Sequence, residues 1–79
     1  MDINVRSTGS CGSGETWFDR QITKEQYARA VNNRGYLTKD DTNAVLTDAE
    51  RYGYGASAGT VYEQGGKYFV SCHRYNSCD

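Results

Sequence analysis

Proline is missing from this 79-residue chain, and leucine and isoleucine are scarce, at two each (Leu37, Leu46, Ile3, Ile22). Without proline, turns have to be made by glycine and short polar residues. An excess of charge is missing as well: nine Lys+Arg against ten Asp+Glu leave a formal charge of −1. That balance excludes the broadly basic surface that nucleic-acid phosphates require, so no direct nucleic-acid contact is expected. Long apolar runs are lacking, and the polar start Met1-Asp2-Ile3-Asn4 predicts neither a secretory signal nor a membrane span. The expected setting is the cytosol. Three cysteines (Cys11, Cys72, Cys78) with no C-x-x-C spacing fit free thiols better than a disulfide framework.

What the chain has instead is tyrosine. Seven are present (Tyr27, Tyr36, Tyr52, Tyr54, Tyr62, Tyr68, Tyr75), together with Trp17. A tyrosine ring fills a core while its hydroxyl stays wet, and the same residue is enriched in contact surfaces. A domain of this size buries only about 60% of its unfolded surface, so some of these rings are expected outside. Residues 1–79 are read as a single small domain.

Alternation of Ile3 and Val5 with Asn4 and Arg6 predicts a short first strand. Ser7 to Gly14 reads as a flexible glycine–serine connection, and Thr16 to Ile22 as extended chain. Thr23 and Gln26 form a capping box that starts a helix, with Tyr27, Ala30, Val31 and Arg34 on one stripe and a left-handed Gly35 at its end. Thr38 starts a second helix, with Asp40 and Asp41 in its first turn, Val45, Leu46, Ala49 and Tyr52 on its buried face and Gly53 closing it. Thr47 with Glu50 makes a second cap and predicts a break near Leu46. "TVYEQGGKYFVSC" holds two alternating runs split by Gln64-Gly65-Gly66, a hairpin signal. The fold class is therefore α+β: a small antiparallel sheet, built from the N-terminal strand and the C-terminal hairpin, packed against two helices.

Several motifs invite a chemical reading. "GSCGSGET" follows the phosphate-binding loop G-x-x-x-x-G-K-[ST] except that Glu15 replaces the lysine. That reversal repels the anion the loop would hold, so no nucleotide cofactor is expected. Cys11 with His73 and Asn76 follows the chain order of papain-like enzymes, and a small cysteine-dependent enzyme or metal-binding module using Cys11/His73 is the alternative function. Metal ligation is disfavoured because adjacent Cys72 and His73 on a strand point to opposite faces. A helix-turn-helix reading meets Asp40, Asp41, Asp48 and Glu50 on the would-be recognition helix, a charge that a DNA groove repels.

Those four carboxylates have a plain role as a solvated outer face. Beside Tyr36, Tyr52 and Tyr54 they also suit a basic surface on a partner protein, with charge steering the encounter and rings supplying burial. Asp40, Asp41, Asp48, Glu50, Tyr36, Tyr52 and Tyr54 are accordingly the expected partner-binding residues.

The capped helices at Thr23–Asn33 and Thr38–Tyr52 and the hairpin "TVYEQGGKYFVSC" are similar in style to the anti-CRISPR proteins of phages and mobile elements. That resemblance implies a non-enzymatic inhibitor that binds a bacterial CRISPR-Cas effector complex and blocks its DNA-binding or nuclease-recruitment surface. It carries over no particular functional residue and implies no cofactor or metal.

Overall fold

The computed structural model describes residues 2–10 and 13–76. Four strands form one antiparallel sheet: β1 (Asp2–Ser10), β2 (Ser13–Ile22), β3 (Ser57–Gln64) and β4 (Lys67–Tyr75), in the spatial order β1-β2-β4-β3. Between β2 and β3 run α1 (Lys24–Val31), α2 (Lys39–Val45) and a π-helical turn, Ala49–Gly53. The α+β class expected from the pattern is the one observed.

The sheet holds one strand more than expected. Ser7 to Gly14 is no loose connection: Ser7 pairs with Thr16, Thr8 with Glu15 and Gly9 with Gly14, so β1 and β2 are a hairpin. The N-terminal strand therefore meets β2, and β2 lies between it and the C-terminal hairpin. Glycine at position 14 answers to this close pairing, because a Cβ there would run into the Thr8 carbonyl oxygen.

Both faces of the sheet follow from strand parity. Phe18 pairs with Cys72, Arg20 with Val70 and Ile22 with Tyr68, and this face meets the helical segment. Phe18, Ile22, Val70 and Cys72 form the core with Ala30, Leu37 and Leu46. The opposite face, with Glu15, Trp17, Asp19, Phe69, Ser71, His73 and Tyr75 on the two central strands, takes no part in that core cluster.

Capping decides the helix starts. Thr23 accepts from the Gln26 amide while the Gln26 side chain accepts from the Thr23 amide, and the Thr38 hydroxyl accepts from the Asp41 amide. The second helix breaks where expected. Leu46 leaves α2 in an extended conformation, and Thr47 and Glu50 exchange a second capping box.

The end of α1 differs from expectation. Gly35 N–H donates to the Ala30 carbonyl at 2.9 Å, closing a Schellman-type loop, and the left-handed residue before it is Arg34, at φ 61°. Gly35 is also at positive φ, 86°, so two successive residues turn the chain. At the β3–β4 turn Gly65 and Gly66 have φ of 61° and 77°, the geometry of a two-residue type I′ hairpin.

Candidate functional site

Two surfaces qualify as functional sites. The first is the helical edge that carries the seven residues expected to bind a partner. Its carboxylates divide into two pairs. Asp41 is buried, and its two oxygens accept from Arg29 Nε and a second guanidinium nitrogen at 2.8 Å each. Hydrogen bonds from Arg29 hold the Asp41 carboxyl below its ordinary value, helped by the Thr38 cap, against the effect of burial. Glu50 accepts from Arg20 at 2.8 and 2.9 Å and from the Thr47 amide. The Arg20 bonds bring its carboxyl down to about 2.

Asp40 and Asp48 face solvent. Asp48 pairs with Arg51, three residues on. Arg51 also donates to the carbonyls of Asn43 and Leu46, satisfying the open end of α2. Tyr36 is 51% exposed and Tyr52 83%, while Tyr54 is half-buried under the Arg74 guanidinium, 5.5 Å from its ring centroid. Thus Asp40, Asp48, Tyr36 and Tyr52 are available for contact. Asp41 and Glu50 hold the helices in place.

Ala49 and Tyr52, expected on the buried face of the second helix, are exposed instead, because a π-helical turn replaces the α-helix there. Tyr54 N–H reaches back to the Ala49 carbonyl at 3.2 Å, one residue further than an α-helix would place it. Glu50, tied to Arg20, anchors one side of the turn inward, and Tyr52 on the other side points to solvent beside Arg51.

The second surface was not anticipated as a site. On the uncovered face of the sheet Trp17 stands across from His73, ring centroids 5.3 Å apart, and His73 meets Tyr75 edge-on at 5.0 Å. His73 Nε2 lies 3.0 Å from Glu15 Oε1. Further along the face, the buried Asp19 carboxylate accepts from the Tyr62 hydroxyl at 2.6 Å and from Asn4 at 2.9 Å. The bond to Asp19 raises the Tyr62 hydroxyl above its ordinary value. Period-two alternation in "ETWFD" and "SCHRY" carried the signal for this group, once both runs are read as neighbouring strands.

The motifs with a chemical reading resolve individually. Thr16, in the magnesium position of the loop-like motif, is buried and bonds to Ser7 at 2.9 Å and Asn76 at 2.6 Å. Glu15 is the partner of His73. Cys72 points into the core, where burial pushes its thiol up to about 12, and His73 lies on the other face as strand parity requires. Cys11 and Cys78 lie outside the described residues, and with them the proposed Cys11/His73 pair. Among the described residues no three His, Cys, Asp or Glu side chains converge as a metal site. Nor, among the described residues, is any helix long and apolar enough to cross a membrane.

The two surfaces define an antiparallel sheet covered on one side, with an acidic, tyrosine-bearing helical edge. Compared with known proteins, the chain matches no protein family, no curated relative and no solved structure.

Proposed function

We propose that this protein is a non-enzymatic inhibitor that acts by binding another protein, in the anti-CRISPR manner of blocking a CRISPR-Cas effector complex in the cytoplasm of a bacterial host. Its partner presents a basic surface. Asp40 and Asp48 steer the encounter, and Tyr52 and Tyr36 supply the buried contact.

One observation carries this reading. Tyr52 is 83% exposed on a turn whose neighbouring side chains are otherwise engaged: Glu50 by Arg20, and Arg51 by the α2 carbonyls and Asp48. A large ring presented on a fixed frame loses little freedom on binding, which favours it as an anchor. Asp41 and Glu50, from the same acidic set, support the frame rather than the contact.

The test is retention of an effector complex on the immobilised protein, comparing the parent chain with Asp40→Lys, Asp48→Lys and Tyr52→Ala. Removing a central anchor costs about 2 kcal/mol or more, some thirtyfold in affinity, while each charge reversal acts mainly on the association rate. Equal retention by all four folded proteins contradicts the assignment of this surface.

A further inference from the structure

We infer that His73 is a proton-operated clasp on the uncovered face of the sheet. It is the only histidine in the chain, and its neighbour Trp17 is the only tryptophan. The ring stands between Trp17, at 5.3 Å across the β2–β4 pair, and Tyr75, at 5.0 Å, with Nε2 held 3.0 Å from Glu15 Oε1. Three side chains from the two central strands thus meet on one imidazole.

Taking up a proton changes two of these contacts at once. The hydrogen bond to the Glu15 carboxylate then joins a cation to an anion and strengthens. The flat indole of Trp17 now faces a cation instead of a neutral ring, and that contact also strengthens. Protonation therefore draws Glu15 and Trp17 together over His73, and deprotonation slackens the group. The face presents docked rings on the acid side and freer ones on the alkaline side.

The surroundings leave this balance to the imidazole and Glu15. From β1, Arg6 is paired with Trp17 and Thr8 with Glu15; from β3, uncharged Ser57 is paired with His73. On β4, Tyr75 is the flanking group, while the Arg74 guanidinium lies over Tyr54. Asp19, two residues beyond Trp17 on the same face, is occupied by Tyr62 and Asn4. The helices pack on the opposite side. Arg6 is exposed, whereas Glu15 is in direct contact with the ring.

The clasp is tested with purified protein by following Trp17 emission across the pH range in which the His73 ring protons titrate by nuclear magnetic resonance. Imidazolium quenches a touching indole, so emission should fall on the acid side in step with the ring protons. His73→Gln should abolish the step. Glu15→Gln, which removes the carboxylate from Nε2, should leave a smaller step. Far-ultraviolet circular dichroism at each pH keeps the comparison to folded protein. Emission that stays flat while the ring protons titrate overturns the proposal, as does a step that Glu15→Gln leaves at full size.

Discussion

Arg20 and Glu50 form the joint between the sheet and the helical edge. The guanidinium rises from near the C-terminal end of β2 and donates to both Glu50 oxygens, at 2.9 and 2.8 Å, while also donating to Asp2 on β1 and to the Val45 carbonyl at the end of α2. One side chain thereby ties together β1, β2, α2 and the π-helical turn. Both partners are about four-fifths covered, so each would be left desolvated without the other.

Glu50→Gln is therefore expected to lose about 1–2 kcal/mol of folding stability in urea titrations. That is a sizeable part of the roughly 4–12 kcal/mol that a domain of this length commands. A loss below a few tenths of a kcal/mol would make the pair incidental.

The same pair sets an acid limit. Glu50 has an ordinary value of 4.5 and sits at about 2 in the folded protein, chiefly through the Arg20 bonds. Its folded value is depressed, so its contribution is complete above the ordinary value and is lost as pH falls towards about 2. Asp2, lowered by the same arginine, acts in the same direction. Between those limits the parent protein should lose stability more steeply with falling pH than Glu50→Gln does. Parallel pH profiles would contradict this.

Asp40 and Asp41 are neighbours in sequence with opposite duties. Asp41→Lys places a second cation against Arg29 in a buried position and should lower the melting temperature by about 5 °C or more. Asp40→Lys should leave it within about 2 °C, because exposed substitutions change stability little. Calorimetry on both variants separates frame from contact.

Arg34 occupies a left-handed position at φ 61° where a non-glycine residue costs about 1–2 kcal/mol. Arg34→Gly should raise stability by about 0.5–1 kcal/mol, part of the relief being offset by the greater freedom of glycine when unfolded. A destabilised variant would show that the arginine side chain contributes something the backbone does not reveal.

The Cys72 thiol, pushed up to about 12 by burial, should resist alkylation at neutral pH until the protein unfolds. Site-resolved mass spectrometry after iodoacetamide treatment gives the answer. Rapid native labelling at Cys72 would mean that the core around Phe18 and Leu46 opens readily.

Local chemistry made much of this fold legible. Thr23, Thr38 and Thr47 mark their caps because the interaction closes within three residues, and Gly65-Gly66 marks its turn because both positions need positive φ. The β1–β2 hairpin was hidden by its composition. Gly9, Ser10, Ser13 and Gly14 have low strand propensity, and they pair because the neighbouring ladder holds them. Gly35 turns left-handed as expected, and Arg34 before it does so as well, since a Schellman loop needs its turn one residue earlier. In the acidic set, sequence could not distinguish exposed Asp40 and Asp48 from Asp41 and Glu50. Their partners Arg29 and Arg20 lie twelve and thirty residues away, and only the fold brings them together.

Titration of a CRISPR-Cas effector complex with the purified protein, read as cleavage of its target DNA, tests the proposed role most directly. Stoichiometric blocking predicts that cleavage falls linearly and stops near one protein per complex, and that Tyr52→Ala shifts this end point to higher concentration. Undiminished cleavage at large excess contradicts it. So does inhibition by trace amounts that deepens with time, since that behaviour belongs to a catalyst.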